Sequence, residues 1–125
     1  MKVHKIQIKR AYEEPAEQDG QRILVDRLWP RGISKEKMQL TEWLKEVAPS
    51  NDLRHWFNHD PAKWTEFREK YSEELASPPA CEAVEHLLRI LAQGTVTLVY
   101  GAKDTEHNQA IVLQHYLENL THSTS

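Results

Sequence analysis

Two short stretches hold most of the chemistry this chain could do. The first is Asp26-Arg27-Leu28-Trp29-Pro30-Arg31-Gly32, and the second is Gly101-Ala102-Lys103-Asp104 with His107-Asn108 just beyond it. A guanidinium donates two parallel hydrogen bonds, so Arg27 and Arg31 suit a carboxylate or a phosphate. The competing reading pairs one of them with Asp26 and leaves it pinning its own loop. Trp29 offers a flat face to a planar ligand, or a plug for the core beneath the loop. Asp104 precedes a periodic apolar run and reads as a helix N-cap, which would place His107 in the first helical turn as a candidate proton acceptor. Asn108 reads either as a ligand amide or as a polar surface residue.

The elements around these stretches explain how they could meet. Ile23-Leu24-Val25 is a short β-branched run of the kind buried on both faces of a sheet, and Thr95 to Tyr100 is a second. Pro30 and Gly32 stop the first from continuing regularly. In an open parallel sheet, ligands gather outside the carboxyl ends of the strands. If the two strands are neighbours, Asp26, Arg27, Trp29 and Arg31 converge with Lys103, Asp104, His107 and Asn108. Arg31 and Lys103 are expected to face the same cavity.

The remainder of the chain supplies the frame. His4, Ile6 and Ile8 alternate with Lys5, Gln7 and Lys9, the period of an edge strand, read here as antiparallel. Ser34, the stretch Pro49-Ser50-Asn51-Asp52 and Asp60 (with Pro61 after it) mark three helix starts, while Leu40 to Val47 fits helix and strand equally. Trp64, Phe67, Tyr71 and Leu75 form one apolar stripe, and Val84, Leu87, Leu88 and Leu91 another. The order predicts an α/β fold: a small three-layer-like domain with a short, mainly parallel sheet flanked by helices. Residues 1–120 read as a single domain and 121–125 as a polar tail.

Composition bounds the function. With 125 residues, 39% hydrophobic and 28% charged, the chain is long enough for one real core. A formal net charge of −3 argues against a surface coated in basic residues. Cys81 is the one cysteine, so no internal disulfide or multi-cysteine metal site can form, which favours a reducing compartment. With no apolar stretch long enough for a bilayer or a signal segment, the reading is cytoplasmic without a membrane. His55 and His59 are spaced like a helical metal pair, but Trp56 stands where a zinc-protease motif has its glutamate. Neither metal nor cofactor is predicted.

The run Val25 to Gly32 is too unusual to be generic. Ala48-Pro49-Ser50, Leu53-Arg54, Trp56-Phe57, His59-Asp60, Lys103-Asp104 and His107-Asn108 accompany it. Together these resemble the domain of unknown function 488 family, in its short YeaO-like branch, in register from about Val3 to Leu120. The resemblance implies a compact α/β fold with no established activity, and it adds Ser50 and Arg54 to the candidate ligand-binding residues. Longer members of the family carry a cysteine near the end of the last strand and a Cys-His-Arg triplet beyond it. Tyr100 and His107-Asn108-Gln109 stand in those places here, against a thiol mechanism.

Three functions fit these residues. In the leading one, Arg27, Arg31 and Lys103 hold a small phosphorylated or carboxylated ligand, and His107 or Asp26 moves protons. In the second, Arg27, Arg31, Arg54 and Lys103 contact nucleic-acid phosphates while Trp29 stacks on a base. In the third, the motifs only stabilise an unusual loop of a non-catalytic interaction protein.

Overall fold

The computed structural model describes residues 5–122, so His4 and residues 123–125 lie outside the described residues. Four strands, β1 (Ile6–Arg10), β2 (Gln21–Leu24), β3 (Glu42–Trp43) and β4 (Val96–Tyr100), form one sheet in the order β1-β4-β2-β3. All three pairings are parallel, with Ile8 opposite Leu98 and Ile23 opposite Leu98 on the other side. The edge position expected of the first strand is correct, but its direction is not antiparallel. A parallel neighbour needs a long connection, and β4 comes after nearly the whole chain has been threaded.

The helices are α1 (Lys35–Met38), α2 (Asn51–Phe57), α3 (Trp64–Leu75), α4 (Ala80–Leu91) and α5 (Gln109–His122). The last reaches His122, so two residues read as tail are helical. Ser34 and Ser50 cap α1 and α2 by accepting from Lys37 and Leu53 N–H, and Asp60 caps the 3₁₀ turn leading into α3. The ambiguous 40–47 segment resolves into the two residues of β3 and a 3₁₀ turn.

The alternation of each strand divides the molecule into unequal layers. Ile6, Ile23, Val25, Val96, Leu98 and Tyr100 pack with Phe67, Tyr71, Leu87 and Leu113 of the long helices. Leu24 and Val99 point the other way, into a smaller cluster with Ala11 and Met38, sealed by Trp29 and Trp43. Tyr71, wholly buried, ties the larger core to the loop before α2 by donating its hydroxyl to the Val47 carbonyl at 2.5 Å. Among the described residues no helix is long and apolar enough to cross a membrane.

Candidate functional site

β2 and β4 are hydrogen-bonded neighbours, so their exit loops emerge side by side. Between these loops, α2 and the start of α5 lies a cleft of about 720 Å³, within the range of small-molecule sites. Asp26, Arg27, Trp29, Arg31, Arg54, His107 and Asn108 all line it, and so do His55 and His59. Three sequence candidates do not. Lys103 is exposed outside the lining, so it does not share the cavity with Arg31. Ser50 is turned toward α3, donating its hydroxyl to Glu74 at 2.6 Å. The Asp104 carboxylate stays within its own turn.

Asp26 forms the floor. One carboxylate oxygen accepts the Gly101 N–H at 2.8 Å and the other accepts from the Gln109 side-chain amide. The absence of a side chain at Gly101 permits this approach, since a Cβ there would stand 2.9 Å from the Asp26 oxygen. No cation is ion-paired with Asp26 among the described residues. Burial therefore dominates and pushes its pKa up to about 6, with the Gly101 and Gln109 donors and the Arg54 charge offsetting part of that.

Arg27 does not pair with Asp26 either. Its Nε donates to the Pro49 carbonyl at 3.1 Å and its Nη2 to the Ala48 carbonyl at 3.0 Å. These bonds clamp the strap before α2 against the β2 exit loop, so two of the five Arg27 N–H donors are occupied by the fold. Trp29 is similarly engaged: its indole N–H donates to the Ile33 carbonyl at 2.7 Å and its ring packs edge-on against Trp43. Arg31 is exposed and Arg54 half-buried. Arg31 has no side-chain partner among the described residues, and Arg54 donates only to the Asn51 amide oxygen at 2.8 Å. These two guanidinium groups remain available to an anion.

The second exit loop differs from its sequence reading. Asp104 accepts from the Glu106 and His107 N–H groups at 2.8 and 3.0 Å, but these belong to a turn rather than to a helix. Those bonds, the Glu106 one foremost, hold Asp104 below the usual carboxylate range. The helix begins at Gln109, and Asn108 is its cap: buried, with its side-chain oxygen accepting from Ile111 N–H at 3.1 Å. His107 is therefore not in a first helical turn. Its Nδ1 lies 3.0 Å from Asp104 and its ring stands edge-on to Trp64, which fixes the side chain at the cleft wall.

The opposite wall holds His59 in an unusual backbone state. α2 ends at Phe57, and both Asn58 (φ 45°) and His59 (φ 55°) are left-handed. The His55–His59 spacing therefore spans a helix end, and the two residues do not share a helical face. Among the described residues no three metal-ligating side chains converge. A histidine in the left-handed region is strained, and its presence at a cleft wall is a mark of functional sites. Tyr12 and Leu28, the two large hydrophobic side chains most exposed to solvent among the described residues, line the cleft. Neither is foreshadowed in the sequence, since loop side chains have no periodicity to betray their direction. Gln109 was detectable only as the residue following the His107-Asn108 pair.

The chain matches, over residues 5–125, the family described as "Inactive DUF488-N3 subclade". Uncharacterized protein YeaO of Escherichia coli (strain K12) is 44% identical over 115 residues, which cover 92% of this chain and 98% of that protein. Uncharacterized protein Rv3073c of Mycobacterium tuberculosis (strain ATCC 25618 / H37Rv) is 37% identical over 113 residues, 90% of this chain and 93% of that one. No solved structure matches.

Proposed function

The chain belongs to the domain of unknown function 488 family, in its short YeaO-like branch, and from that premise we propose that its cleft binds a small phosphorylated or carboxylated ligand without covalent turnover. The observation that carries this reading is the presence of Arg31 and Arg54, both free of carboxylate partners, in one cleft at the carboxyl ends of β2 and β4. Such groups bind an oxyanion by charge-assisted hydrogen bonds. The chemistry of the lining favours binding over covalent catalysis. No thiol, serine, threonine or lysine lines the cleft among the described residues. Tyr100, at the place of the cysteine in longer members, is buried, and burial raises its phenol pKa. The family's description as inactive agrees with this.

Nucleic acid is the weaker occupant. Arg27 and Trp29, the residues that would grip a phosphate and stack on a base, are both engaged by the protein's own backbone. The test is calorimetric titration of inorganic phosphate, organic phosphates and carboxylates into the wild type, Arg31→Ala and Arg54→Ala at low salt. A charge-assisted hydrogen bond contributes about 1.5–3 kcal/mol, so each variant should lose roughly tenfold or more in affinity. Unchanged affinity in both variants would contradict the assignment.

A further inference from the structure

The cleft is not uniformly cationic. Its available guanidinium groups are the exposed Arg31 and the half-buried Arg54, whereas its floor is the half-buried carboxylate of Asp26. The groups facing Asp26 come from four elements: Arg27 beside it in the same loop, Gly101 after β4, Gln109 at the start of α5 and Arg54 on α2. Only the neutral ones, the Gly101 N–H and the Gln109 amide, donate to it. Each carboxylate oxygen has two lone pairs, so two acceptor positions remain after these bonds. Arg27 would be the natural donor to them, but its guanidinium is held by the Ala48 and Pro49 carbonyls. The floor is thus an acceptor without an ion-pair partner, in the same cleft as the two available guanidinium groups.

We infer that the ligand is a hydroxylated anion, whose phosphate or carboxylate lies at Arg31 and Arg54 and whose hydroxyl donates to the Asp26 carboxylate. The inference rests on the reading of the cleft as an anion site. A plain oxyanion would occupy the two arginines and leave Asp26 facing water or nothing. An ammonium at the floor would meet the same carboxylate, but it would enter a cleft lined by three arginines and carry the desolvation cost of a second buried charge. A hydroxyl satisfies the acceptor without adding charge. The cleft volume of about 720 Å³ also exceeds what a bare phosphate fills, leaving room for a polyol or hydroxy-acid body between the arginines and the floor.

The experiment compares glycerol 3-phosphate with n-propyl phosphate, which share a phosphate and a three-carbon chain but differ in hydroxyl groups. Titrated into the wild type by calorimetry, glycerol 3-phosphate should bind at least tenfold more tightly. In Asp26→Asn, checked for folding by circular dichroism, the preference should shrink severalfold as a neutral acceptor replaces the carboxylate. Equal binding of the two phosphates to the wild type would overturn the hydroxyl inference and leave the anion site standing. A preference that survives undiminished in Asp26→Asn would place the hydroxyl elsewhere and overturn it as well. Failure of either phosphate, and of inorganic phosphate, to bind would remove the anion site and this inference together.

Discussion

Two aspartates flank β2, and the protein treats them in opposite ways. Asp19 lies before the strand, 5% exposed, with Lys9 at 2.9 Å and Arg22 at 2.7 Å as ion-pair partners. Burial pushes its pKa up, but the Ala16 N–H, Lys9 and Arg22 outweigh it and hold the carboxylate below its usual range. Asp26 lies after the strand and receives only neutral hydrogen bonds, so burial prevails. A buried acid paired with cations is a structural device, whereas one left unpaired in a cleft is a cost to the fold that a ligand can relieve. The difference separates the end of the sheet that holds the molecule together from the end that opens into the cleft.

The largest effect expected from this contrast is on Asp19. Asp19→Ala would leave Arg22, 4% exposed, with only the Met38 carbonyl at 2.9 Å. Removing one partner of a buried pair costs about 3–5 kcal/mol, to be read as a lower urea midpoint. Asp26→Asn should behave oppositely, with stability at neutral pH equal to or above that of the wild type.

The pH dependence sharpens the same comparison. The folded pKa of Asp26, about 6, exceeds the ordinary 3.8, so the folded state holds the proton more tightly than the unfolded one. Stability from this group is present in full below pH 3.8 and is lost as pH rises to about 6, by about 3 kcal/mol at 1.36 kcal/mol per unit. Asp19 runs the other way: its contribution is present above 3.8 and lost as pH falls through its lowered folded value. Urea unfolding from pH 4 to pH 7 should show the Asp26 slope in the wild type and its loss in Asp26→Asn. That variant also separates Asp26 from the cleft histidines.

Smaller effects distinguish the arginines. Arg27→Ala removes two bonds to backbone carbonyls and should destabilise by about 2 kcal/mol. Arg31→Ala, whose side chain is exposed and unpartnered, should leave stability within about 0.5 kcal/mol while weakening anion binding. Similar stability losses in the two variants would erase the distinction between a clamp and a ligand arginine. An effect of opposite sign is expected at His59, where His59→Gly relieves left-handed strain and should stabilise by about 1 kcal/mol. If the strain serves the cleft, thermal melts will show that gain while calorimetry shows weaker anion binding.

What could be read from the sequence was mostly local. Helix starts at Ser34, Ser50 and Asp60, the apolar stripe of α3 and the break at Pro30 each depend on residues within a turn or two. The direction of β1 was misjudged because its partner β4 lies some 90 residues away and alternation carries no information about polarity. The start of α5 was misplaced because Asp104 and Asn108 are both good caps four residues apart. The choice falls to Asn108, which is buried against the end of the sheet, and no local signal marks burial. The candidate site was legible as two stretches of the chain, and most of their polar residues do line one cleft. The roles within it were not, because whether an arginine binds a ligand or a carbonyl depends on the strap at Ala48 and Pro49, which arrives from elsewhere in the chain. Lys103 shows the same limit: its place in the exit loop was clear, its outward direction was not.

The most direct test is a carbon-13 NMR titration of the aspartate carboxyl groups, with and without glycerol 3-phosphate. Asp26 should titrate near 6 in the free protein and move when the phosphate is added, while Asp19 should titrate below 3.8 and not respond. An Asp26 that titrates in the ordinary carboxylate range and ignores the phosphate would contradict this expectation.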